Sequence, residues 1–127
     1  MKVTKAGLFI PAMVFALILC RGVSLADKSA VILEAPDQAS KGDEITVKIH
    51  VTHSGNSFVH YTNWVKVTVN GKEKALWEYS AGSRPENDQF TKEIKVTING
   101  PTEIVAQANC NLHGSRGPAR KIIRLKE

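Results

Sequence analysis

From Ala30 onward the chain is a series of short runs that alternate apolar and polar residues, broken by turn residues, with no stretch repeating at the helical period. Glu44 to Thr52 places Ile45, Val47, Ile49 and Val51 on one face and Thr46, Lys48, His50 and Thr52 on the other, the pattern of a strand with one buried side. Ala30 to Glu34, Asn63 to Val69, Lys74 to Tyr79, Phe90 to Ile98, Thr102 to Asn109 and Lys121 to Leu125 read as further strands. Asn70-Gly71 between two of them is a strong hairpin signal, and Asn99-Gly100-Pro101 turns the chain again. About seven strands in one domain predict an all-β, immunoglobulin-like sandwich. Ser80 to Asp88 reads as a polar loop, and Trp64 and Trp77 as core or site-wall residues.

The first 26 residues break this pattern. Lys2 and Lys5 precede the apolar run Gly7 to Leu19, which is shorter than the about 20 residues a membrane span needs, and Ser24-Leu25-Ala26 fits a small-x-small cleavage site. The expectation is a signal peptide over 1–26, an exported or periplasmic domain over 27–127, and no membrane attachment after cleavage. Cys20 would suit a lipoprotein, but Leu19 stands before it where a small residue is wanted. Removing Lys2, Lys5 and Arg21 from the 17 basic residues leaves 14 against 12 acidic ones. So balanced a domain offers no footprint for nucleic acid.

Removal of the signal also leaves Cys110 as the lone cysteine, which excludes an internal disulfide. An unpaired thiol in an oxidising compartment is either buried and inert or protected, and metal coordination would protect it. Cys110 and His113 stand in a C-x-x-H spacing at the end of a predicted strand, while His50, His53 and His60 cluster near the end of another. Loops at one end of a sandwich can meet around a single ion. Imidazoles with one thiolate suit iron, copper or zinc better than calcium or magnesium. Parity sets His50 on the solvent face with Lys48, whereas His53 and His60 frame the loop SGNSFV and can turn inward.

Cys110-Asn111-Leu112-His113-Gly114, together with His53, His60 and Trp64, resembles the iron-binding domain of the desulfoferrodoxin and neelaredoxin family, the superoxide reductases. ADKSAVILEAP stands where that family has a glutamate-lysine-histidine followed by a short apolar strand. The resemblance implies a mononuclear non-haem iron held by histidines and an axial cysteine thiolate, with one position open for superoxide. His53, His60, Cys110 and His113 are the implied metal ligands, Lys28 the implied catalytic cation that attracts the anion, and an unidentified protein the electron donor. Asp27 stands where the family often has a glutamate that caps ferric iron. The chain departs from the pattern at Ser29, where the family has its first histidine ligand, and in the His53 to His60 spacing, one residue longer than usual. Either three histidines serve, with water added, or His50 substitutes through a local bulge.

A blue-copper carrier would share the sandwich and the C-x-x-H loop but lacks an axial methionine, since Met1 and Met13 leave with the signal. A non-catalytic metal-binding or electron-transfer sandwich takes Ser29 as its best argument. A zinc hydrolase would need a general base, and the ligand segments hold no carboxylate. Arg116 to Lys126 reads as a solvated edge strand able to dock an acidic donor. A homo-oligomer stays open.

Overall fold

The computed structural model describes residues 28–127, so the expected signal peptide and Asp27 lie outside the described residues. Eight strands follow in order: β1 (Ala30–Glu34), β2 (Gln38–Ala39), β3 (Glu44–Thr52), β4 (Thr62–Val69), β5 (Lys72–Glu78), β6 (Phe90–Thr97), β7 (Thr102–Cys110) and β8 (Ala119–Leu125). They form a three-stranded sheet, β1-β3-β6, and a five-stranded sheet, β2-β8-β7-β4-β5. The expected all-β sandwich is therefore present, with β2 as one strand more than the alternation marks. No helix among the described residues is long and apolar enough to cross a membrane.

The two sheets bury the faces that alternation assigns to them. Ile45, Val47, Ile49 and Val51 of β3 meet Val65 and Val67 of β4, Ile104, Ala106 and Ala108 of β7, and Ile123 of β8 in one core. Each fully buried valine or isoleucine contributes about 1.5–3 kcal/mol relative to exposure. The β4–β5 hairpin closes through Asn70 (φ 50°) and Gly71 (φ 82°), the positive-φ pair of a type I′ turn. The Asn70 side chain fixes that turn by accepting from the Glu103 amide at 2.8 Å.

Two expectations need correction. Trp77 packs against the core, but Trp64 does not enter it. Next to the inward Val65, Trp64 falls on the outer face by strand alternation, where it lines a groove with Lys66, Glu73, Leu76 and Glu78, while the register shift between Thr62 and Trp64 lets Thr62 face inward. Nor is β8 a bare edge, because Arg124 and Leu125 pair in parallel with Gln38 and Ala39. Lys121 of β8 also pairs with Asp37, and that ammonium, mainly by hydrogen bonding, holds the Asp37 carboxyl below its ordinary pKa of 3.8.

Candidate metal centre

Strand parity delivers two of the proposed ligands to the same place from opposite sheets. His53 continues the inward series Ile49, Val51 of β3, and Cys110 continues the inward series Ile104, Ala106, Ala108 of β7. Both lie beyond the last core layer, His53 4% exposed and Cys110 1%. The site thus closes one end of the sandwich between its sheets, with the thiol at its floor.

The other two imidazoles come from turns above that floor. Ser57 and His60 exchange backbone hydrogen bonds at 2.8 and 3.2 Å, so the loop after His53 folds back and returns His60 to His53. Cys110 and Gly114 do the same at 2.8 and 3.0 Å, and Gly114, at φ 82°, supplies the left-handed residue that this turn requires. His113 is carried over Cys110, its Nδ1 3.9 Å from Sγ and 3.3 Å from His60 Nε2. Ligand atoms of His53, His60 and Cys110 lie within 4.8 Å of one another. The rings stand edge to face, with centroids 4.7 Å apart for His53 and His60 and 5.1 Å apart for His60 and His113.

This donor set fits a transition-metal ion. Donors opposite one another across an ion span about 4.2–4.6 Å at bonds of roughly 2.1–2.3 Å, close to the 4.8 Å limit found here. His53 Nδ1 donates to the Gly55 carbonyl at 2.7 Å, which leaves Nε2 with the lone pair. Such a bond to the second ring nitrogen is how proteins orient a ligating imidazole. Cys110 is a free, buried cysteine, and three imidazoles with one thiolate suit iron, copper or zinc.

Residues that the sequence reading left without a role hold this arrangement. Gly55 is one: a Cβ there would stand 2.6 Å from His60 Nδ1, so its hydrogen makes room for one imidazole while its carbonyl orients another. Asn111 is a second. Its side-chain oxygen accepts from the Tyr61 amide at 2.9 Å, its side-chain nitrogen donates to the Val59 carbonyl at 3.1 Å, and its own amide donates to the Tyr61 carbonyl at 3.0 Å. The two ligand loops are stitched together by that one residue. A glycine two places after His53 and an asparagine inside the C-x-x-H segment were the visible signals.

Lys28 and Ser29 sit beside the centre in different ways. Ser29 is buried, and its hydroxyl meets the Thr62 hydroxyl at 2.7 Å. Its amide donates to the Gly114 carbonyl at 3.3 Å, and its carbonyl accepts from the Arg116 amide at 2.9 Å. Lys28 is exposed and lines a cleft that reaches His53. His50 is elsewhere: β3 runs without a bulge through it, and its ring bonds Glu34 at 2.8 Å and Thr91 at 2.9 Å on the outer surface. The alternative in which His50 replaces the missing histidine is not realised.

Comparison with known proteins places these features in context. The family model described as Desulfoferrodoxin matches residues 23–115. No curated protein matches the chain in sequence. Among solved structures, the superoxide reductase neelaredoxin from Ignicoccus hospitalis is 19% identical at a TM-score of 0.67, covering 82% of this chain and 86% of that one. The reduced superoxide reductase neelaredoxin from Archaeoglobus fulgidus is 15% identical at 0.53, covering 76% and 89%. The sulfur carrier protein SoxY from Chlorobium limicola f thiosulfatophilum is 12% identical at 0.55, covering 93% and 99%. At these identities the likeness is one of fold.

Proposed function

The chain belongs to the desulfoferrodoxin family, and from that premise we propose that it is an exported mononuclear iron protein that reduces superoxide to hydrogen peroxide. The observation that carries this reading is the convergence of one buried thiol and three imidazoles, from two loops and both sheets, at a single solvent-facing end. His53, His60, His113 and Cys110 would hold the ion. When bound, iron supplies one electron at a time; superoxide taking up one electron and two protons gives hydrogen peroxide, and an external donor protein restores the electron.

The chain's own groups divide the remaining work. Lys28 places positive charge at the rim, which draws a small anion toward His53. Cys110, shielded at the floor, keeps its sulfur out of contact with bulk oxidants. The Gly55 carbonyl and the Asn111 network hold the imidazoles against reorientation. Phe58, Val59 and Leu112 are exposed beside His60 and His113, giving a donor protein an apolar contact next to the rings. Export rests on the apolar run 7–19 and the Ser24-Leu25-Ala26 triplet.

Ser29 favours a second reading, a metal-binding or electron-transfer sandwich without turnover. A hydroxyl committed to Thr62 stands where the family has an imidazole. One experiment separates the two: metal content and the visible spectrum of the chain from Asp27, followed by addition of superoxide. One iron per chain, a thiolate-dependent band that is lost in Cys110→Ser, and stoichiometric peroxide as superoxide added to the reduced protein brings that band up, support the reductase. Iron and the band without peroxide support the carrier, and an unchanged spectrum in Cys110→Ser overturns the thiolate as a ligand.

A further inference from the structure

A cleft of about 250 Å³ opens beside the metal centre, walled by Lys28, Thr52, His53, Ser54, Gln89 and Arg116. At roughly 30 Å³ per water this is room for about eight molecules, several times what a diatomic anion needs. Among the described residues its wall carries two cations and no carboxylate. Among the described residues neither Lys28 nor Arg116 belongs to an ion pair, whereas Lys92, Arg120 and Lys121 each have an acidic partner. Ser54, Thr52 and Gln89 add neutral hydrogen-bonding groups to the same wall.

The two cations are held together by backbone rather than by chance. Residues 29 and 115 form a parallel bridge, and the Arg116 amide donates to the Ser29 carbonyl at 2.9 Å. Arg116 is thereby fixed alongside the segment that carries Lys28. The next residue, Gly117, takes φ 105° and donates to Ser115 Oγ at 3.0 Å, which locks the turn that presents the arginine. A guanidinium and an ammonium carried on backbone segments held side by side, with neutral donors around them, match a polyatomic oxoanion, whose several oxygens can each take a donor.

We propose that this cleft binds a free tetrahedral oxoanion, of the phosphate or sulfate class, through Lys28 and Arg116 against the edge of His53. The site does not depend on which metal the neighbouring residues hold. Its consequence for the proposed chemistry is competition, since an oxoanion seated there occupies the approach that Lys28 offers to superoxide.

The test is titration of the metal-loaded chain with inorganic phosphate by calorimetry, at an ionic strength held constant with chloride. Saturable binding of one phosphate per chain, weakened about tenfold or more in Arg116→Ala and unaltered in Arg120→Ala, is the expected result. Arg120 is the control because it is a paired cation remote from the cleft. Binding that does not saturate above the chloride background, or that is unchanged in Arg116→Ala, or that falls equally in Arg120→Ala, overturns the proposal. Arg116→Gln gives the same reading should the alanine variant fail to fold. The readout is phosphate binding, so its failure leaves the metal reading standing, and loss of the metal reading leaves this one standing.

Discussion

Gly55→Ala tests the idea that one backbone position serves two ligands. The added Cβ would lie 2.6 Å from His60 Nδ1, which is 0.8 Å inside the 3.4 Å at which ordinary contact begins. No positive φ is involved at this glycine, so the cost is steric and not conformational. His60 cannot simply recoil, because His53 lies edge-on at 4.7 Å between centroids and His113 Nδ1 is 3.3 Å from His60 Nε2. If the backbone yields instead, the Gly55 carbonyl leaves His53 Nδ1, to which it is bonded at 2.7 Å. Either relief displaces a candidate ligand. Overpacking of this kind costs about 1–3 kcal/mol, and disturbing a ligand-orienting contact lowers metal affinity about 10–100-fold. The assay is competition for iron against a chelator of known affinity, with melting of the metal-free protein alongside. The expected result is that fall in affinity together with a metal-free melting temperature lowered by several degrees, as an overpacking cost of that size requires. Gly82→Ala, whose Cβ meets nothing within 4 Å, serves as the control and keeps wild-type affinity. Wild-type metal affinity in Gly55→Ala refutes the reasoning.

Three further outcomes are expected. Asn111→Ala leaves the Tyr61 amide and Val59 carbonyl without their side-chain partner, which costs about 1–3 kcal/mol in denaturant unfolding and weakens metal binding as the loops separate; unchanged values for both would remove Asn111 from the scaffold. His50→Ala keeps full metal content with only a small loss of melting temperature, because its partners Glu34 and Thr91 are on the outer surface, and substantial metal loss would reinstate it as a ligand. Asp37→Asn lowers the melting temperature at neutral pH. Because Lys121 depresses the Asp37 pKa below 3.8, the stabilisation is present above that value and disappears as pH falls through the lower folded one; the gap between wild type and variant should therefore close in acid, and a gap independent of pH would sink this assignment.

The fold was legible wherever alternation was long. β3 occupies the expected span to the residue, and β4, β6 and β7 differ only at their ends, because eight or nine residues of period two leave little freedom of register; the five-residue β1, bounded by Pro36-Asp37, also matches its expected span. β2 was not legible: two residues, Gln38–Ala39, become a strand only by pairing with the far end of β8. Trp64 was misread because its bulk was weighed above its parity: counted back from the inward Val65 it falls on the outer face beside Lys66. The register shift between Thr62 and Trp64, decided by the partner strand β7, bears instead on Thr62.

The candidate centre divides along the same line between local pattern and tertiary assembly. Cys110, His113, His53 and His60 were visible because a ligand must be a particular residue type, and parity alone separated His53 from His50. What holds them was not visible, since Gly55 and Asn111 act through loops that approach only in the folded chain. Ser29 shows the limit most sharply. A hydroxyl is no donor equivalent to an imidazole, and a site short of a donor ordinarily leaves either a void or an unpaired polar group. Here the site is closed instead: Thr62, opposite Cys110 in the β4–β7 ladder, meets the serine hydroxyl at 2.7 Å, and the serine backbone still ties Gly114 to Arg116. The segment's backbone positions the Cys110–Gly114 turn and the cationic cleft, so the arrangement of the other candidate ligands does not depend on an imidazole at position 29.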